Sequence, residues 1–223
     1  MKVCALVSVL SLVGSFAGTA SAQDPTQVDA AHYKVVLDNP SVRVLRINYA
    51  PGAKSKMHKH PDALVVMLGT AKMKFTMADG KTEEREMATG TGLYTPAVEH
   101  SPENAGTTPM DGILVEFKTP AAGTAALPAS RPGLTTKVIA EGPRAMAYAT
   151  TADPTFVEPA GSKHDYDQVV IATAPGTMSL MIEGKPAKTT WAKGDAVFIP
   201  RGVGHEAKNT SGKPQDMVIV AIK

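Results

Sequence analysis

The sequence predicts an all-β protein built as two β-barrels in tandem. Three observations point there. Short alternations of apolar and polar residues are punctuated by turn residues, with 19 glycines and 17 prolines in 223 residues. No segment carries a convincing helical period. The second half of the chain also repeats the turn residues of the first at a nearly constant spacing.

The chain opens with Lys2, an apolar run from Val3 towards Phe16, and the small residues Ala20-Ser21-Ala22. A positive start, an apolar stretch and small residues before a cut site are the pattern of a secretory signal peptide, here expected to span 1–22. The apolar run is short for a membrane span of about 20 residues. The mature chain is therefore expected to be periplasmic or secreted, with no membrane part. Cys4, the only cysteine, lies in that leader. Its removal excludes disulfides, thiolate metal sites and cysteine nucleophiles from the mature protein. Net charge is +2, and no basic stripe interleaved with aromatics occurs, which argues against nucleic acid as a partner.

Val35 to Pro40 is matched by Val138 to Pro143. Arg43 to Tyr49 alternates imperfectly. Lys72 to Met77 alternates strictly, as a half-buried strand does, and Ala78-Asp79-Gly80-Lys81 follows as a turn centred on Asp-Gly. Ile113 to Lys118 and Met217 to Ile222 read as closing strands. Between the halves, Pro120 to Thr136 is rich in Ala, Thr, Pro and Gly and reads as a linker. The expected organisation is a first domain over 28–119, a linker over 120–137 and a second domain over 138–223. Gly80, Lys81, Gly90 and Pro96 recur as Gly184, Lys185, Gly194 and Pro200, an offset of 104, and Leu64 to Met67 falls on Gln168 to Ile171 at the same offset. Met178 to Ile182 is apolar on both faces, which fits a strand buried between barrels or between subunits. Exposed barrel edges suit a homodimer.

Five of the six histidines, His58, His60, His100, His164 and His205, sit beside the repeated glycines and prolines. Residues two apart on a strand point the same way, so His58 and His60 would share one face. With His100, which follows Pro96, they offer three imidazoles, the commonest protein ligand for Zn, Fe, Ni and Cu. Three such donors leave coordination positions open, as a catalytic metal needs. The bland alternative is a polar pocket without metal. Tyr94 and Glu99 flank this group and are the candidate acid–base residues. Strand packing and a solvated side chain are their ordinary explanations.

Gly52-x5-His58-x-His60 resembles the first motif of the cupin superfamily. Gly90-x5-Pro96 followed by His100-x3-Asn104 resembles the second, and Gly194-x5-Pro200-x-Gly202-x2-His205-x3-Asn209 resembles it in full. The resemblance covers nearly all of the chain after the leader and implies two jelly-roll barrels. It also implies a divalent metal ion, Fe, Mn, Ni or Zn, in the first. Where the family's first motif has a glutamate ligand, this chain has Leu64, so the first site would be purely histidine, as in the thiol and diketone dioxygenases of the family. In the second half, His164, Gln168 and His205 are the candidate ligands, with Ser162 beside them. Alternatively, His164 takes the place of His58 and Tyr166 that of His60.

Two functions are weighed. One is a metalloenzyme acting on a small organic molecule by dioxygenase-like or Lewis-acid chemistry. The other is a non-catalytic ligand- or metal-binding protein of the cell envelope. Cupins serve both, so the motifs decide fold better than reaction.

Overall fold

A computed structural model describes residues 24–120, 123–126 and 130–223; the expected signal peptide lies outside them. A four-residue helix, α1 (Pro25–Val28), precedes the strands. It is capped by Asp24, whose carboxylate accepts from the Thr26 N–H at 2.8 Å.

The first half contains β1 (Tyr33–Asp38), β2 (Val42–Tyr49), β3 (His58–His60), β4 (Ala63–Met67), β5 (Ala71–Met77), β6 (Thr82–Met87), β7 (Gly92–Thr95), β8 (Val98–Asn104) and β9 (Met110–Phe117). They form two antiparallel sheets, β1-β2-β9-β4-β7 and β3-β8-β5-β6. The second half contains β10 (Leu134–Glu141), β11 (Ala145–Ala152), β12 (Val157–Ser162), β13 (Asp167–Ala172), β14 (Gly176–Ile182), β15 (Lys185–Trp191), β16 (Ala196–Ile199), β17 (His205–Asn209) and β18 (Gln215–Ile222). Their orders, β10-β11-β18-β13-β16 and β12-β17-β14-β15, repeat the first pair strand for strand. β10 starts inside the stretch read as linker, with Leu134 to Thr136 paired to Ala152 to Thr150. The Asp79-Gly80 turn forms as expected, with Gly80 at φ 82°, a left-handed conformation that suits glycine.

Strand alternation sorts the core into layers. Ala63, Val65 and Met67 face into the first barrel with Leu45, Ile47, Met73 and Leu114. Leu64, Val66, Ile113, Val115 and Phe117 face out, and meet Ala147, Val169, Ile171, Val218 and Val220 from the second half. The two five-stranded sheets thus pack outer face to outer face. Each Val, Leu or Ile buried there contributes roughly 1.5–3 kcal/mol, well above the rim contacts. Arg46, for example, donates to the Lys193 carbonyl at 2.8 Å at the exposed edge.

This layering corrects two expectations. The strand buried on both faces is not Met178 to Ile182. In β14, Met178 and Leu180 fill the second barrel's own core with Trp191 and Ile199. The strands covered on both sides are β4, β9, β13 and β18, which is why they read as continuous apolar runs. The repeat is also one residue out at β4. Ala63 pairs with Thr95 as Gln168 pairs with Ile199, so Gln168 corresponds to Ala63, not Leu64. A shift of one residue exchanges the faces of a strand.

Candidate metal centre

β3 and β8 set the first site. His58 pairs with His100 across these strands, and His60 lies two residues along on the same face. Their ligand atoms all fall within 4.8 Å of one another. His58 is 0% and His60 3% exposed, so the imidazoles meet inside the barrel.

Hydrogen bonds choose the tautomers. His60 Nδ1 is 2.8 Å from Glu116 Oε1. An ionised carboxylate only accepts, so the ring proton sits on Nδ1 and the Nε2 lone pair is free. His58 Nδ1 is 2.8 Å from the Lys56 carbonyl, which likewise only accepts. The two Nε2 atoms, 3.1 Å apart, therefore face each other as lone pairs. Such an approach is repulsive unless a cation lies between. Cis donors on a metal with bonds of about 2.1 Å stand about 3.0 Å apart, so the spacing suits shared coordination. His100 Nε2 is buried with no partner at all. Burial, then the neighbouring rings, lowers the pKa of His58 to about 4 and of His100 to about 3. Both rings stay neutral and available as ligands.

Glu116 and Tyr33 were not anticipated from the sequence. Glu116 projects inward from β9, opposite Ala63 on β4, and is 1% exposed. Arg43 Nε donates to its Oε2 at 2.5 Å, and Arg43 also pairs with Asp24 at 2.6 Å. A histidine ligand that donates its other N–H to a carboxylate is fixed in orientation and made more basic. The available signal was a lone charge in the apolar run Ile113 to Phe117. The Tyr33 hydroxyl lies 3.1 Å from His58 Nε2, whose single lone pair serves either this hydroxyl or a metal ion, so a metal on His58 would leave the Tyr33 proton free for another acceptor. Burial, then the nearby Tyr49, raises its pKa well above the usual value, so it keeps its proton.

His60 and His100 border a cavity of about 130 Å³. Ile47, Met73, Phe75 and Leu114 supply apolar wall, and Glu83 and Arg85 stand among its polar lining. Tyr94 and Glu99 are not brought to it. Leu93 and Thr95 line the cavity, so Tyr94 between them points the other way. Its hydroxyl donates to Asp62 at 3.0 Å and its ring stacks on Phe117. Burial and Asp62 raise its pKa to about 12. Val98 and His100 line the cavity too, leaving Glu99 on the outer face opposite Lys59. The acid–base assignment fails at both positions because alternation turns each side chain out of the barrel.

In the second barrel, Ser162 pairs with His205 as His58 pairs with His100. His164 therefore stands in the place of His60, and Tyr166 stacks on it at 5.1 Å instead of replacing a ligand. Ser162 Oγ donates to the Pro159 carbonyl, away from any cluster. Gln168 lines the cavity with His164 and His205, and its Nε2 has no partner. Glu158, unremarked in the sequence, joins the two histidines, with ligand atoms within 4.8 Å. Burial raises its pKa, but His164, His205 and Arg131 more than offset this and leave it lowered.

No family model and no curated protein matches the sequence. Solved structures do match. AerE from Microcystis aeruginosa superposes with a TM-score of 0.64 at 16% identity, covering 86% of this chain and 97% of that one. Bacillus subtilis oxalate decarboxylase, a protein with Mn(II) centers, gives 0.61 at 11% identity over 82% of this chain and 69% of its own. The fold is the cupin fold. A third similar structure is salicylate 1,2-dioxygenase from Pseudoaminobacter salicylatoxidans in adduct with gentisate, with a TM-score of 0.59 at 14% identity. It covers 82% of this chain and 68% of that one. At these identities the likeness concerns the cupin architecture alone. No helix among the described residues is long and apolar enough to cross a membrane.

Proposed function

We propose that the first cupin barrel holds a divalent metal ion, Fe, Mn, Ni or Zn, on His58, His60 and His100 and acts there on a small organic molecule. The observation that carries this is the pair of opposed Nε2 lone pairs beside the unpartnered His100 Nε2. When bound, the ion would supply Lewis acidity or, as Fe, oxygen chemistry. The chain's own groups do the rest. Three neutral imidazoles leave the ion's double charge uncompensated, which favours an anionic or chelating ligand. The apolar wall excludes water and accepts an apolar body. Tyr33 keeps a proton beside the donors and can give a hydrogen bond to a bound oxygen. Glu116, itself neutralised by Arg43, holds His60 in place.

The companion reading is a non-catalytic ligand- or metal-binding protein of the cell envelope. The outward orientation of Tyr94 and Glu99 supports it. Under either reading the leader directs the chain out of the cytoplasm, and a homodimer is the assembly expected.

The experiment is metal analysis of the chain from Gln23 onward, purified without chelators or a histidine tag. Near-stoichiometric metal that is reduced in the His58→Ala, His60→Ala, His100→Ala variant supports the first site. Oxygen uptake together with product analysis on candidate organic acids then separates turnover, oxidative or Lewis-acid, from storage. A native chain that takes up no metal even on reconstitution overturns the reading.

A further inference from the structure

Two charged residues, Glu83 and Arg85, face into the first barrel, and the metal centre uses neither. With Met87 they alternate on β6, and all three line the cavity that His60 and His100 border. Arg85 donates to both oxygens of Glu83, at 2.6 and 2.9 Å. Glu83 is 52% and Arg85 42% exposed, so the pair stands at the mouth, open to solvent. β6 is reached from β8, the strand of His100, across β5. Two strand spacings put the backbone of the pair about 10 Å from that strand. Phe75 fills the step between, paired with Glu83 on one side and stacked on the His100 ring on the other.

The fold itself does not require these charges. Met87 recurs 104 residues on as Trp191, each inside its own barrel core. At that offset Glu83 and Arg85 become Ala187 and Thr189 on β15. The matching edge strand thus closes its barrel without an inward ion pair. An anion and a cation side by side complement a ligand that carries both charges on one carbon. The head of an α-amino acid does so: its carboxylate suits the Arg85 fork and its ammonium suits Glu83. Behind the mouth, a mostly apolar space of about 130 Å³ has room for about one aromatic ring.

We infer that Glu83 and Arg85 form a distal subsite for the zwitterionic head of an aromatic α-amino acid, whose ring enters the barrel towards the imidazoles. For what meets the far end of the ring, this rests on the metal centre proposed above. The head-group contacts stand on the ion pair alone. Glu83 and Arg85 neutralise each other in the free protein, so a ligand with a single charge leaves one of them without its partner. A zwitterion satisfies both.

The test is calorimetric titration of L-tyrosine, 3-(4-hydroxyphenyl)propionate and tyramine into the chain from Gln23 onward. The three probes share a ring and differ only in the head. Tyrosine should bind about tenfold more tightly than either truncated probe. Arg85→Gln should weaken tyrosine about tenfold, while tyramine, offered a freed Glu83, gains. Glu83→Gln should weaken tyrosine to a similar extent, while the propionate, offered a freed Arg85, gains. A probe that gains affinity also shows that the variant is folded. The same series in the His58→Ala, His60→Ala, His100→Ala chain separates this subsite from the metal centre. Loss of the imidazoles should lower all three probes alike and leave the differences between heads in place, so failure of the metal reading does not hide them. Equal affinity for the three probes, no binding of tyrosine, or tyrosine binding that ignores both Arg85→Gln and Glu83→Gln overturns the inference.

Discussion

Ala63 and Glu116 face each other across β4 and β9, and the small side chain of the one leaves room for the carboxylate of the other to reach His60. The position where the resembled motif has its glutamate is Leu64, which faces the other barrel. A carboxylate still serves the first site, but from the closing strand and through the far nitrogen of a histidine.

Glu116 is therefore expected to tune the metal. Glu116→Gln should weaken metal binding roughly 10–100-fold while the three imidazoles stay in place. Glu116→Ala should also cost about 3 kcal/mol of stability, the low end for a broken buried pair, because Arg43 keeps Asp24. Competition with a chelator and urea unfolding measure the two effects. Unchanged affinity in both variants would remove Glu116 from the site.

Stability of the metal-free protein should fall as pH drops from about 6.5 to 4. The folded pKa values of His58 and His100 are depressed to about 4 and about 3. In that window the unfolded chain takes up protons that the folded chain refuses. Each ring then costs about 1.4 kcal/mol per pH unit, and neither affects stability above the unfolded value. Urea unfolding between pH 4 and 8 reads the slope. His100→Gln should flatten it, and a slope equal to that of the native chain would contradict the burial argument.

Leu180 separates a core role from an interface role for β14. It is 3% exposed inside the second barrel. Leu180→Ala should cost about 2–5 kcal/mol by leaving a cavity, with the oligomeric state unchanged. Sedimentation alongside thermal unfolding checks this. A change of assembly with little loss of stability would return β14 to an interface.

Tyr94 and Gly142 test the contact between the barrels. A Cβ on Gly142 would lie 2.2 Å from the Tyr94 ring, so one must move. Gly142→Ala should destabilise by about 1–3 kcal/mol, and the same change in a Tyr94→Ala background should cost clearly less. Tyr94→Phe should leave metal content intact, since its hydroxyl serves Asp62. Equal penalties in both backgrounds would place the strain elsewhere.

Two β-barrels and the gathering of His58, His60 and His100 were legible in the sequence by itself. Repeated glycines, prolines and turn signals are local, and an i,i+2 histidine pair on a strand shares a face whatever lies around it. Tertiary structure alone decided which face that was for every other candidate. One residue of register separates Leu64, packed on the second barrel, from Ala63 beside the imidazoles. The same alternation sends Tyr94 and Glu99 outward. Glu116 is separated from His60 by 56 residues, and only the pairing of distant strands brings that carboxylate to the imidazole, as it brings Glu158, which belongs to no motif, to His205. Side-chain period in a strand is two, so a sequence pattern that is right to within one residue still leaves inside and outside undetermined.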